Sequence, residues 1–162
     1  MPELSTTNIQ SATVTTGDVS TTVSGTGTLD LGGNAETVAG VQLAGGTIQN
    51  GTLTSTTAYD LQSGTASAVL AGAVGANKTT AGTVTLSGTA SNTYSGLTVV
   101  RGGRLAVAGT DALSGSTLSN IVAGSVVFTN LTAANLGGLA GNANLGLTNT
   151  AGAAVSLSVG YN

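Results

Sequence analysis

Apolar residues along this chain recur two apart. Leu29/Leu31, Val41/Leu43, Val84/Leu86, Leu97/Val99, Leu105/Val107, Val126/Phe128, Leu145/Leu147 and Val155/Leu157/Val159 all keep that spacing. A period of two puts alternate side chains on opposite sides of a strand, whereas a helix needs 3.6. Each run spans about four to six residues and is closed by Gly, Asn or Ser. The pattern predicts many short strands and almost no helix. Ala133 to Gly146, AANLGGLAGNANLG, is the weakest stretch for strands and reads as tight turns with short bridging segments.

The strands repeat. Val84/Leu86 returns 21 residues later as Leu105/Val107, and 21 later again as Val126/Phe128; Leu145/Leu147 follows after 19. A period of about 20 residues holding two or three short strands is one coil of a parallel β-solenoid. Coils stack at the inter-strand spacing of about 4.8 Å, so eight of them predict a rod roughly 40 Å long. The expected fold is all-β: a single parallel β-solenoid over residues 1–162.

Composition sharpens this picture. Charged residues are 6% and aromatics 2%, with 26 glycines and one proline, and no His, Cys or Trp. A narrow solenoid has little interior, so it takes Val, Leu, Ile, Ala and Thr. Its corners need residues that reach positive φ cheaply. Stacked coils set like residues beside like, where charges repel but Thr and Ser can hydrogen-bond. At 40% hydrophobic the chain does not have the composition of a disordered one. No apolar run approaches the about 20 residues of a membrane helix, and membrane-barrel girdles are missing, so membrane insertion is not expected. A net charge of −3 argues against nucleic acid. The start, MPELSTTNIQ, has neither the basic nor the apolar segment of a signal peptide. The expectation is that it has been processed or that export takes another route.

One stretch resembles a known family. Gly82 to Ser116 reads GTVTLSGTASNTYSGLTVVRGGRLAVAGTDALSGS. The pieces Gly82–Leu86, Asn92–Gly96, Thr98–Val99, Gly103–Val107 and Ala112–Ser114 are similar to the autotransporter-associated β-strand repeat of bacterial surface proteins. That resemblance implies a right-handed β-helix exported to the cell surface; it does not imply a catalytic activity, because such repeats are usually scaffold.

Candidate chemistry is sparse. The acids Glu3, Asp18, Asp30, Glu36, Asp60 and Asp111 are scattered, and without His or Cys the common nucleophile–base arrangements are unavailable. Asp30 and Glu36 could approach across a Gly-Gly-Asn corner. Recurring calcium-type Asp motifs are absent, so no metal and no cofactor is expected. Arg101 and Arg104 flank Gly102-Gly103 and read as a solvent-facing corner, with Asp111 a candidate partner and an anion or glycan contact the functional alternative. Tyr94 reads as a packing residue of its turn. Thr13-Val-Thr15, Thr26-Gly-Thr28, Thr52-Leu-Thr54 and Thr83-Val-Thr85 fit the local pattern of an ice-binding array, but successive arrays are separated by 13, 24 and 31 residues rather than a constant period.

A solenoid also has two ends, whose strand edges need a partner or a cap. Both termini of this chain are strand-like and nearly uncharged, with no amphipathic helix to cover them. Ile9, Val14, Val19, Val155, Leu157 and Val159 are therefore the candidate self-association residues. The reading is a non-catalytic extracellular or cell-surface structural protein, whose partner is itself in a head-to-tail homopolymer or which forms one unit of a long stalk. The alternative is an adhesin contacting surface glycans along a lateral face.

Overall fold

The computed structural model describes residues 9–10 and 19–162. Its fifteen strands are β1 (Ile9–Gln10), β2 (Ser20–Asp30), β3 (Ala35–Val38), β4 (Gly40–Gln49), β5 (Thr52–Ser55), β6 (Tyr59–Ala66), β7 (Val69–Ala71), β8 (Ala76–Lys78), β9 (Thr83–Leu86), β10 (Leu97–Val100), β11 (Arg104–Val107), β12 (Leu113–Asn120), β13 (Val126–Phe128), β14 (Ala133–Gly141) and β15 (Ser156–Val159). Every named pairing is parallel and joins one coil to the next. Among the described residues there is no helix. The fold is a β-solenoid of about 7 turns, one fewer than the eight coils anticipated.

Each coil turns through three faces. The first face carries the leading halves of β2, β4 and β6, then β8, β10 and the trailing halves of β12 and β14. The second holds β1, the trailing halves of β2, β4 and β6, then β9, β11 and β13. The third holds β3, β5 and β7, and higher up the start of β12, the start of β14 and β15.

Strand alternation converts directly into core columns. On the second face the register aligns Leu29, Ile48, Ala66, Leu86, Val107 and Phe128, all buried, and ends on Asn149. The two predicted 21-residue steps are real neighbours: Val84 pairs with Leu105 and Leu105 with Val126. The third step differs. Phe128 stands beside Asn149, again 21 residues on, rather than beside Leu147. Asn149 holds that position because its side chain takes the N–H groups of Ala151 and Ala153 and donates to Leu131 O at 2.9 Å, closing a turn no leucine could close. Ala133–Gly146 also corrects expectation: its first nine residues are β14, which pairs with β12 below and β15 above. Ala and Gly have low strand propensity, but at Gly137, Gly138 and Gly141 the coil below leaves no room for a β-carbon, and tertiary pairing wins.

The third face has a gap where no strand forms between β9 and β10, and the N-T-Y turn fills it. Asn92 Oδ1 accepts the Leu70 N–H at 2.8 Å, and its Nδ2 donates to Ala112 O at 2.9 Å. One amide side chain thus bridges the coils below and above, beside the backbone bonds that the Thr93 and Tyr94 N–H groups make to Leu70 O and the Ser95 N–H makes to Gly72 O. Two residues on, Tyr94 enters the core, its hydroxyl 2.8 Å from Thr98 Oγ1, which lies 2.7 Å from Ser116 Oγ, which donates to Gly96 O at 2.6 Å. The Tyr94 ring meets the Tyr59 ring at 5.8 Å between centroids. Both phenols are fully buried. The expectation that Tyr94 packs its corner holds.

Burial pushes both phenols up to about 12. The folded state therefore holds these protons more tightly than the unfolded chain, whose tyrosines titrate near 10. The resulting stability is complete below pH ~10 and lost as pH climbs towards 12, by about 2–3 kcal/mol per tyrosine. Lys78 acts in a lower window: burial depresses its ammonium below the usual lysine value, so its contribution grows with pH only up to about 10.5. Urea melts at pH 8 and 11.5 should show a marked loss that Tyr59→Phe and Tyr94→Phe each reduce. A flat profile across that interval would refute the assignment.

Candidate functional site

The Arg101-Gly102-Gly103-Arg104 corner joins β10 on the first face to β11 on the second. Its backbone is pinned from below: the N–H groups of Arg101 and Gly102 donate to Lys78 O, at 2.8 and 3.3 Å, and that of Arg104 to Gly82 O at 3.1 Å. Gly103 sits at φ 62°, the left-handed conformation the tight corner needs. Both arginines are exposed. Arg101 leans back over the first face, where it donates to Asn77 Oδ1 at 3.4 Å; Arg104 opens the second face beside Thr83.

Beneath this corner lies the chain's third cation, which sequence reading missed. Lys78 is in register with Val100, at an inward position, and has no exposed surface. Its Nζ donates to Thr80 O and lies 3.4 Å from Thr80 Oγ1, whose own hydroxyl donates to Gln62 O at 2.8 Å. Desolvation lowers its affinity for the proton, and the nearby Asp60 carboxylate partly restores it. The available signal was parity: in Ala76-Asn77-Lys78 the lysine shares the inward phase of Ala76.

The acids do not converge. Asp30 accepts from Gln49 Nε2, Asn50 Nδ2 and the Gly32 N–H, each at 2.9 Å, so the approach to Glu36 envisaged from sequence is replaced by a corner ladder of amides. Those hydrogen bonds, Gln49 foremost, hold the Asp30 carboxyl below its usual range. Asp60 accepts from Gln42 at 2.8 Å and Gln62 at 2.7 Å. Asp111, the anticipated partner of the arginines, instead accepts from Asn135 Nδ2 at 2.6 Å, one coil up. In each case a neutral amide neighbours the acid, because stacked coils offer Asn and Gln at the right height and a second charge would have to be desolvated. Among the described residues no three of His, Cys, Asp or Glu come together to hold a metal.

The candidate self-association residues separate. Val14 lies outside the described residues; Ile9 belongs to β1, where its backbone pairs beside Leu29. Val19 is half-buried and its carbonyl accepts the Ala39 N–H. Val155 is buried in the core, Leu157 is half-buried, and Val159 is 50% exposed. Large exposed apolar side chains gather at this C-terminal end. Leu139, directly above buried Leu118, is 46% exposed, and Leu147 and Tyr161 are 44% and 60% exposed. One column on the first face and one on the third end apolar, on Leu139 and Val159, whereas the neighbouring first-face column is closed by buried Asn120, whose Nδ2 donates to Ala143 O and Asn144 O. Tyr59, Tyr94 and Phe128 are all inside, which leaves Tyr161 as the one exposed aromatic of the chain.

Comparison with the curated proteins gave no match, and comparison with the solved structures gave none. A family model does match: residues 77–107, from Asn77 through the basic corner to the end of β11, overlapping the stretch singled out from sequence. Strands, N-T-Y turn and corner here belong to two successive coils of a parallel solenoid, β8 and β9 lying beneath β10 and β11, and residues 77–107 are similar to the passenger-associated-transport-repeat.

Proposed function

We propose that this chain is a non-catalytic structural segment of an exported surface protein, a rod whose coils stack end to end, tail on head, into filaments or a long stalk. The observation that carries the reading is the C-terminal coil. Two of its inward columns finish on exposed Leu139 and Val159, and no charged residue follows Asp111 in the sequence. Sheet edges are ordinarily blunted by charge, proline or a covering element; this end offers apolar side chains and main-chain groups that suit a further parallel coil. An end-to-end contact of this kind does not close on itself, so it propagates. The passenger repeat supports a secreted or cell-surface setting.

Electron microscopy of the purified chain over a concentration series tests this. Unbranched fibres one solenoid wide are expected for the native chain, and dispersed short rods for Leu139→Lys combined with Val159→Lys. Those two side chains are exposed, so the fold should survive the change. Short native rods that stay monomeric at high concentration would sink the stacking reading.

A further inference from the structure

The chain has only three basic residues, and all three meet at one corner: Lys78 wholly buried under it, Arg101 and Arg104 exposed on either side. Gly102 and Gly103 put no side chain between the buried ammonium and the surface; a β-carbon on Gly103 would stand 2.7 Å from Lys78 Nζ. Among the described residues no carboxylate pairs with the two guanidinium groups. Arg101 reaches only the amide oxygen of Asn77. Asp30 and Asp111 accept from amides away from this corner, while Asp60, itself held by Gln42 and Gln62, is close enough for its field to reach Lys78.

We propose that this corner is an anion-binding site on the side of the rod, and that its ligand is the sulfate or carboxylate of an acidic polysaccharide. Guanidinium forks are matched to planar and tetrahedral oxyanions and bind them by paired charge-assisted hydrogen bonds. The buried ammonium adds positive potential in a medium that screens it poorly. The backbone of the corner is fixed, since the N–H groups of Arg101, Gly102 and Arg104 are tied to the coil below, so the ordering cost of binding is confined to the two arginine side chains. A polysaccharide suits this exposed corner because any one of its many anions can reach the two guanidinium groups without entering a pocket. The inference does not depend on end-to-end stacking.

The overall charge of −3 makes the test discriminating, because a net-negative protein repels a polyanion unless a local cluster captures it. The intact chain would be titrated with a short heparin oligosaccharide at low salt, alongside neutral dextran, inorganic phosphate and vesicles rich in anionic lipid. The expected result is saturable binding of the heparin fragment, weakened about tenfold or more in Arg101→Gln/Arg104→Gln and by added salt, and tightened in Asp60→Asn. Circular dichroism confirms the variants remain folded; both arginines are exposed and outside the core. Absence of heparin binding, binding that the double variant leaves intact, or equal binding of dextran would overturn the site. Preference for the vesicles would overturn the polysaccharide assignment.

Discussion

Replacing Tyr59 by Ala is expected to cost about 5 kcal/mol, about a third or more of the stability of an ordinary domain. Tyr59 has no exposed surface, and its hydroxyl serves three backbone groups. It lies 2.6 Å from Leu53 O and 2.7 Å from Ala71 O, and accepts the Ala71 N–H at 3.0 Å. Truncation removes the ring from the Tyr94 contact, opening a cavity worth about 3–5 kcal/mol. It also strands buried backbone groups, at about 1–3 kcal/mol. Tyr59→Phe keeps the ring and loses only the polar part, so it should fall well short of the alanine variant. Urea denaturation of the three proteins makes the comparison. In a solenoid each coil contacts only its neighbours, so the damage stays local: limited proteolysis of the alanine variant should begin between β5 and β8. An alanine variant within about 1 kcal/mol of the parent would mean the aromatic pair is not the anchor of these coils.

The second large effect is expected at Gly103. Its φ of 62° alone makes a side chain costly, by about 1–2 kcal/mol. A β-carbon there also collides with Thr80 O and Gly82 O. Neither carbonyl can yield freely: one receives the Lys78 ammonium and the other the Arg104 N–H. Gly103→Ala should therefore cost about 3 kcal/mol or more, through strain and a displaced corner. Gly124 provides the control. It turns the corresponding corner one coil up, with φ 72°, and a β-carbon there meets nothing within 4 Å. Gly124→Ala should lose only the conformational part, about 1 kcal/mol. Equal losses at the two positions would show that backbone conformation, not the stacked carbonyls, dictates glycine at Gly103.

How far the sequence reaches is visible in individual residues. Val84, Leu105 and Val126 announce their pairing by a constant interval, because coils of equal length bring equivalent positions into register. The threonines show the opposite case. Thr28, Thr47, Thr65 and Thr85 form a continuous file on the second face, although their sequence intervals are unequal. Corners of different length absorb the difference, so a search for a constant period overlooks them. Lys78 was harder to read for a related reason. Its parity with Ala76 points inward, but a lysine is ordinarily outward, and the register with buried Val100 is what fixes it inside.

The sequence by itself determined the strand content, the coil length, the parallel stacking and the place of the repeat. These follow from a period of two, a repeat of about 20 and the distribution of glycine, all local properties of the chain. Tertiary structure alone decided which acid meets which amide, which threonines align, that Asn92 bridges the coils below and above, and that every cation gathers at one corner. Those contacts join residues about 20 apart across a stack, and a change of one residue in any corner would reassign them. The hydrophobic pattern is insensitive to such shifts; hydrogen bonds and charges are not, because they demand particular atoms within about 3 Å.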